Sequence, residues 1–208
     1  MREYHKIQTV WLRDPATKHR TLLDGQWAMP EFEFLKDVDW VWTEKIDGTN
    51  VRVMWDGERV TFGGRTDTAQ MPTHLLSVLQ GLFPADLLSE AVPPCTCLYG
   101  EGFGAKIQKR GGDYKPDGCA FALFDVSVGG LALEKENVSD IAGKLGCNTA
   151  PVVNWGTLCE AIAYVRDGQH CSIFGTAIAE GLVMRPATEL QNRQGERIIT
   201  KIKAKDFN

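Results

Sequence analysis

The chain has 208 residues, of which 43% are hydrophobic and 24% are charged, and its formal net charge is −4. This composition excludes collagen-like and intrinsically disordered classes, and the negative charge excludes a global attraction to phosphate backbones. No apolar run approaches the roughly 20 residues that span a bilayer, and the polar start of the chain is unlike a secretory signal. We therefore expect a cytoplasmic protein with no membrane partner.

The hydrophobic pattern predicts strands in most of the chain and a few scattered helices. In chain order these are strands at Trp40–Ile46, Asn50–Trp55 and Arg59–Phe62, a helix at Thr73–Leu82, strands at Cys95–Gly100 and Cys119–Val128, helices at Ser139–Leu145 and Thr157–Val165, and strands at Gly181–Arg185 and Arg197–Lys203. Turn signals at Asp47-Gly48 and Asp56-Gly57 predict that the first three strands are antiparallel and tightly connected.

These elements predict an α+β fold, in which antiparallel sheets with helices on their outer faces form a groove for a ligand. No repeat, low-complexity tract or linker interrupts the chain, so we expect one domain over residues 1–208. The six cysteines form no C-x-x-C pair and indicate reduced thiols rather than a zinc site or a disulfide framework.

Lys45 lies at the end of an apolar strand, immediately before a glycine-containing turn. Lysine is mostly exposed in proteins, so a solvated lysine at a strand edge is the simple interpretation. The alternative is a nucleophile, which must lose its proton before it attacks. Nearby cations or partial burial favour the uncharged amine.

The last strand offers such cations. Lys201, Lys203 and Lys205 alternate along it, and a period of two places all three on one face. The face could neutralise a triphosphate, since lysine binds phosphate as a point charge. An amphipathic strand with its polar side in water explains the same pattern.

The segment Lys45–Asn50, with the form K-x-D-G-x-N, resembles the first motif of the covalent nucleotidyltransferases, which comprise ATP-dependent RNA and DNA ligases and capping enzymes. The asparagine at Asn50 resembles phage-type RNA ligases, because the other two groups more often carry arginine there. Further blocks resemble the family's motifs in the expected order, namely Gly63–Thr66, Tyr99–Gly104, Ala122–Val126, Glu180–Pro186 and Lys201–Lys203. Segments Trp27–Trp42 and Gly104–Lys115 are also similar, so the resemblance covers nearly the whole chain.

The resemblance implies an adenylyltransferase domain of the ligase type, related to ATP-grasp-like folds, that joins 5′-phosphate and 3′-hydroxyl RNA ends. Lys45 would attack the α-phosphate of ATP, AMP would move to the 5′-phosphate end, and the 3′-hydroxyl would displace AMP. Such transfers need cations around the phosphates and a carboxylate for Mg²⁺ or Mn²⁺. Glu180 is the expected metal-facing carboxylate, since Mg²⁺ prefers oxygen ligands, although a strand-end glutamate in solvent is the simpler interpretation.

The resemblance also implies roles for the remaining motif residues. Glu101 would accept a hydrogen bond from a ribose hydroxyl, unless Gly100–Gly104 is merely a turn, and Phe124 would stack on adenine, unless it is a buried core aromatic. Lys201 and Lys203 would hold the α-phosphate region. The other residues expected in the nucleotide site are Glu44, bordering the adenine pocket, Asp47, positioning Lys45 or a metal-bound water, Asn50, and Arg65, contacting sugar or phosphate.

The segment Ala105–Pro116 combines four cations with Gly111-Gly112, and we expect it to bind nucleic-acid backbone. The cations are Lys106, Lys109, Arg110 and Lys115. A solvated basic loop is the alternative.

Three other functions fit the motifs less well: a DNA ligase core, a capping-type guanylyltransferase, and a nucleotide-binding or RNA-binding remnant without activity. The chain stops five residues after Lys203, so we expect neither the C-terminal OB-fold of DNA ligases nor the helical domain of many RNA ligases. A helper protein could supply such a domain. Arg185 stands where many relatives have lysine, which keeps the charge but changes the donor geometry.

Overall fold

The structure is a computed structural model that describes residues 3–168, 171–176 and 178–207. The described chain forms two compact units. The first unit comprises residues 3–5, 47–150 and 174–176, and the second comprises residues 6–46, 151–168, 171–173 and 178–207. Both units combine sheets, most of whose strand pairs are antiparallel, with short helices, which confirms the predicted α+β class.

The elements follow one another in three stretches of chain. The first stretch, in the second unit, contains β1 (Gln8–Thr9), β2 (Trp11–Arg13), a 3₁₀ turn (Pro15–Thr17), β3 (Leu22–Trp27), α1 (Pro30–Phe34) and β4 (Trp40–Lys45). The middle stretch, in the first unit, contains β5 (Thr49–Trp55), β6 (Val60–Gly63), α2 (Thr73–Leu82), α3 (Ala85–Ala91), β7 (Thr96–Gly104), α4 (Gly111–Tyr114), β8 (Cys119–Val128), β9 (Leu131–Ala132), α5 (Lys135–Leu145) and β10 (Asn148–Thr149). The last stretch, again in the second unit, contains β11 (Val152–Gly156), α6 (Leu158–Arg166), β12 (Gly181–Pro186), β13 (Thr200–Lys203) and a 3₁₀ turn (Ala204–Asp206).

The main sheet of the second unit has the strand order β1-β13-β12-β4-β11. Side chains alternate between faces along a strand, and one face of this sheet packs on α6 to form an apolar core. That core includes Trp40, Trp42, Leu182, Met184, Ile202 and the helix residues Leu158, Ile162 and Val165. The lysines of β4 and β13 therefore project from the opposite face.

The sheet of the first unit has the order β10-β8-β7-β5-β6, with β9 added beside β8. One face packs against α2, α3 and α5 in an apolar core that contains Val51, Val53, Leu98, Leu123, Val126, Leu75, Leu79, Leu88 and Val138. Residues directly opposite each other in neighbouring strands point to the same side of a sheet. The register of β5, β7 and β8 therefore places their polar side chains together on the other face. We call it the polar face.

Local sequence signals explain where several helices begin and end. Thr157 and Glu160 form a reciprocal capping box at the start of α6. Gly146 ends α5 with a left-handed backbone (φ 63°), a conformation that glycine adopts without a Cβ penalty. Within the described ranges, no helix is both long and apolar enough to cross a membrane.

Two predictions from the pattern were wrong. Asp56-Gly57 does join two antiparallel partners, β5 and β6, but Asp47-Gly48 does not make a hairpin, because β4 pairs with β11 and β12 while β5 pairs with β6 and β7. Lys205 does not continue the alternation of the last strand. The ladder ends at Lys203, where the partner strand begins at Gly181, and Lys205 lies exposed in the following 3₁₀ turn.

Candidate active site

A cluster of four charged side chains lies at one edge of the second unit's sheet. Strand register places Gly181 of β12 directly between Lys45 of β4 and Lys203 of β13. A Cβ on Gly181 would overlap the carbonyl oxygen of Ile202, so only glycine allows the strands to pair this closely. The pairing brings the two lysines to either side of the residue that follows Glu180.

Glu180 bridges these two lysines. Lys45 Nζ donates a hydrogen bond to Glu180 Oε2, and Lys203 Nζ donates one to Glu180 Oε1 at 2.5 Å. Both contacts are charge-assisted, which makes them stronger than hydrogen bonds between neutral groups. The structure thus brings together three residues that the sequence predicted to act in one site, and we call these three with Lys201 the lysine cluster.

Burial and neighbouring charges displace the pKa values in this cluster. Burial raises the pKa of Glu180, but the charges and hydrogen bonds of Lys45 and Lys203 outweigh it, so the net shift is downward. Burial lowers the pKa of Lys201 to about 8, the positive charges of Lys45 and Lys203 lower it further, and Glu180 opposes both effects in part. Lys201 therefore loses its proton close to physiological pH.

Asp206 forms a hydrogen bond with the backbone of Lys203. The Asp206 carboxylate accepts from the Lys203 backbone nitrogen at 3.1 Å and from Arg13 Nη2 at 2.9 Å. Arg13 lies in β2, which pairs with β3 near the start of the chain, so this ion pair fixes the end of β13 to that two-stranded sheet. Neither residue was identified from the sequence.

Glu44 precedes Lys45 on β4 and is only 3% exposed. Burial raises the pKa of its carboxyl, and hydrogen bonds from the Ser172 side chain and the Ile173 backbone nitrogen oppose this in part. Among the described residues, Oε1 of Glu44 has no hydrogen-bond partner. Burying a carboxyl oxygen without a hydrogen-bond partner costs folding free energy. A ligand that donates a hydrogen bond to Oε1 would remove this cost, so Glu44 is suited to accept one.

The polar face of the first unit contains three more of the predicted residues. Asn50 of β5 lies directly opposite Glu101 of β7, and Glu101 lies opposite Ala122 of β8. The segment Gly100–Gly104 is strand rather than turn. Phe124 is an extra residue in β8, because Tyr99 pairs with Asp125 and Gly100 pairs with Leu123. Such a bulge redirects a side chain and is common beside functional sites.

Arg65 is exposed in the loop after β6, and a buried arginine holds that loop. Arg52 of β5 is 1% exposed. Its Nε donates to the Gly64 carbonyl and its Nη2 donates to Asp67 Oδ1, both at 2.7 Å. These contacts fix the residues on either side of Arg65 and Thr66. Arg52 was missed from the sequence, although an arginine inside an otherwise apolar strand was visible.

Asp47 is half-buried in the bend between β4 and β5. The four predicted nucleic-acid-binding cations, Lys106, Lys109, Arg110 and Lys115, are all exposed. The basic segment is more ordered than a flexible loop: it contains α4, Arg110 is paired with Asp113 at 2.9 Å, and Gln108 Nε2 donates to the Gly48 carbonyl at 3.0 Å. Among the described residues, Arg110 is paired with an acidic side chain, whereas Lys106, Lys109 and Lys115 are not.

Comparison with solved structures finds the fold of this chain in an RNA ligase from Naegleria gruberi. Two variants of that ligase with ATP and manganese align with TM-scores of 0.67 and 0.71 at 17% identity, covering 98% of this chain and 56% of theirs. The same ligase with pyrophosphate aligns with a TM-score of 0.64 at 18% identity over 97% of this chain and 57% of the other. This chain thus spans little more than half the length of those proteins.

A search of curated proteins gave no significant match. The family model described as RNA ligase matches residues 38–203, which includes every residue of the lysine cluster and of the polar face. A match over this much of the chain shows the family, and the chain belongs to the RNA ligase family.

Proposed function

We propose that the chain is an ATP-dependent RNA ligase that joins 5′-phosphate and 3′-hydroxyl ends through an AMP carried on Lys45. The observation that carries this proposal is the placement of Glu180 between Lys45 and Lys203, with Lys201 beside them. Phosphoryl-transfer sites work mainly by positioning and charge neutralisation. A compact group of three lysines around one carboxylate supplies both.

In the first step Lys45 Nζ attacks the α-phosphorus of ATP, a nitrogen–phosphorus bond forms, the bond to the β-phosphate breaks, and pyrophosphate leaves. Lys45 must lose a proton to water for this attack, because only the neutral amine has a free lone pair. Glu180 orients Nζ, but its lowered pKa makes it a weak base. We therefore assign Glu180 to holding a cation and orienting the amine, and not to removing the proton.

Lys203 and Lys201 are placed to bind the phosphate oxygens that gain charge in this step. Lys203 is already fixed by Asp206 and Glu180, so it can act as a positioned point charge. Lys201 contributes a positive charge below its pKa of about 8 and loses it above that value. The later steps transfer AMP from Lys45 to a 5′-phosphate oxygen and then displace it by a 3′-hydroxyl, which leaves a phosphodiester and AMP.

A divalent cation fits Glu180. No group of three or more His, Cys, Asp or Glu side chains suitable for a metal lies together in the part of the chain that the structure describes, but Mg²⁺ usually takes only one or two carboxylates and completes its shell with phosphates and waters. Bound there, Mg²⁺ or Mn²⁺ would neutralise phosphate charge.

The residues of the first unit are proposed to recognise the nucleotide. Glu101 would accept from a ribose hydroxyl, with Asn50 opposite it in the ladder, and Phe124 would stack on adenine. Arg65, in the loop that Arg52 fixes, would contact sugar or phosphate. Asp47 would position Lys45 or a metal-bound water, and the basic segment would bind the RNA backbone. In the second unit, Glu44 would border the adenine pocket.

Incubation with Mg²⁺ and ATP labelled at the α-phosphate tests the first step. We expect an acid-stable label on the protein that is absent in Lys45→Ala and retained in Lys205→Ala, which removes an exposed lysine outside the strand. A protein that takes no label from any nucleotide is not an enzyme of this kind.

Two further arms of the same assay separate the related activities. Replacing ATP by GTP distinguishes a ligase from a capping-type guanylyltransferase. Supplying 5′-phosphorylated RNA or DNA to the labelled protein distinguishes the two ligases, and we expect discharge of the label and sealing with RNA. Efficient discharge by DNA and none by RNA would contradict the proposed substrate.

A further inference from the structure

The first residues that the structure describes are tied to the first unit, although the chain enters the second unit directly after them. We call residues 3–5 the N-terminal strap. Its central residue, Tyr4, is half-buried and lies against the polar face. The sequence motifs do not include this segment.

Tyr4 contacts β7 and β8 by its hydroxyl and by its ring. The hydroxyl donates to Asp125 Oδ2 at 2.5 Å, the range of a charge-assisted O–H···O⁻ bond. The ring meets Phe124 edge-on, with centroids 5.0 Å apart, and is 5.1 Å from Tyr99. Edge-to-face pairs at such distances are favourable beyond the area they bury.

The bulge in β8 explains how one tyrosine can contact two consecutive residues of a strand. In a regular strand Phe124 and Asp125 would point to opposite faces. Because Phe124 is the extra residue, both side chains contact Tyr4. Asp125 is 2% exposed, so it is a fixed anchor for the tyrosine hydroxyl, and the tyrosine ring in turn limits where the Phe124 ring can go.

The strap has a second anchor at Glu3. Its Oε1 accepts from the backbone nitrogen of Asp67 at 2.9 Å, and the Asp67 carboxylate accepts from the buried Arg52. Asp67 follows Arg65 by two residues. The strap therefore touches the bulge that carries Phe124 and the loop that carries Arg65, which are two of the elements assigned above to nucleotide recognition.

We propose that Tyr4 is a positioning residue for base recognition: it holds the Phe124 ring in the orientation that stacks on a purine. The inference rests on the proposed function, since it assumes that Phe124 meets the base of ATP. Tyr4 acts through Phe124 and Asp125 and does not take part in the chemistry at phosphorus. Its loss should weaken binding of the base and spare binding of the phosphates.

The test compares Tyr4→Ala, Tyr4→Phe and the control Lys6→Ala, which truncates an exposed residue just beyond the strap. For each we would measure the KM for ATP in lysine labelling, the rate at saturating ATP, and the affinity for inorganic tripolyphosphate, which has no base. For Tyr4→Ala we expect a KM raised about three- to tenfold, the loss of one aromatic contact. The saturated rate and the tripolyphosphate affinity should stay at the wild-type values.

Tyr4→Phe keeps the ring and should retain most of the affinity for ATP, and Lys6→Ala should match the wild type. A Tyr4→Ala protein that binds ATP as the wild type does, or that loses ATP and tripolyphosphate equally, overturns the inference. Should Tyr4→Ala not fold, a Tyr4→Phe protein whose KM for ATP is itself raised about three- to tenfold would overturn the inference as well, because the aromatic ring would then be irrelevant. If the wild type itself takes no label, the proposed function fails and the inference fails with it, whereas a labelled wild type with an unaffected Tyr4→Ala defeats the inference alone.

Discussion

The lysine cluster of the second unit and the polar face of the first unit hold their functional side chains in different ways. In the cluster the reactive groups hold one another: Glu180 is fixed by Lys45 and Lys203, and the charges of both lysines, with burial, depress the pKa of Lys201. On the polar face and in the loop after β6, the candidate ligand-binding residues are held by other groups: Tyr4 contacts Phe124, and Arg52 fixes the loop that carries Arg65. A substitution in the cluster should therefore alter all its members, whereas one on the polar face should act locally.

The largest expected effect is that of Glu180→Gln. The amide cannot balance two ammonium groups or bind a divalent cation well, so labelling should fall by roughly two to three orders of magnitude, the usual loss on removing a group that stabilises charge in the transition state. Because Glu180 raises the pKa of Lys201, that pKa should also fall further below about 8. Labelling reactions quenched at fixed times would measure the rate, and NMR titration of the lysines would measure the pKa of Lys201.

Glu90→Gln provides the control for that prediction, since Glu90 is an exposed carboxylate in α3. It should label as the wild type does. If Glu180→Gln reduced labelling without moving the titration of Lys201, the four residues of the lysine cluster would not be electrostatically coupled.

Arg52→Met should act on stability and on one loop. The change removes two hydrogen bonds from a buried guanidinium and leaves the Gly64 carbonyl, also buried, without its partner. A loss of about 2–3 kcal/mol in the free energy of unfolding is expected, measured by urea denaturation. Arg59→Met, an exposed arginine in the same hairpin, should cost far less, and equal losses would contradict a structural role for Arg52.

Lys201→Met should change how stability depends on pH. In the folded chain the pKa of Lys201 is about 8, below its ordinary 10.5, so between these values the unfolded state binds more protons and this group makes stability rise with pH. The charged form thus costs stability below pH 8. The melting temperature of Lys201→Met relative to the wild type should be highest below pH 8 and should decline towards pH 10.5, and a constant or growing difference would contradict the lowered pKa.

The smallest effect is expected in the basic segment. Lys109→Gln should weaken RNA binding and reduce the salt slope by about one unit, as for the loss of one phosphate contact. Arg110→Gln should do less, because Arg110 is already paired with Asp113. Neither should change labelling of Lys45, and a loss of labelling equal to the loss of RNA binding would refute a role confined to the RNA backbone.

Most strands could be predicted from the sequence because their alternation is local. The helix Thr73–Leu82 matches its prediction at both ends, and β8 matches at Cys119–Val128. Six short strands were not predicted, namely β1, β2, β3, β9, β10 and β11, since two to six residues carry too little pattern. The turn at Asp47-Gly48 was misjudged because a turn signal reports the bend of the chain and not the sheet that the next strand joins.

The candidate site was predicted in part for a related reason. The motifs named Lys45, Glu180 and Lys203, and strand register then brought them together around Gly181. Arg13, Arg52, Tyr4 and Asp206 were missed, because their importance lies in contacts between residues distant in sequence, such as Tyr4 with Asp125. No local pattern of residue types encodes a bulge that turns Phe124 towards the N-terminal strap.

The role of Lys45 as the nucleophile is tested most directly by finding where the nucleotide is attached. The wild type would be incubated with ATP and Mg²⁺, digested, and its peptides mapped by mass spectrometry. We predict one added AMP on the peptide that contains Lys45, linked to Nζ, and no adduct on Lys201 or Lys203. An AMP on either of those lysines, or none on any peptide, would contradict the assignment of Lys45 as the nucleophile.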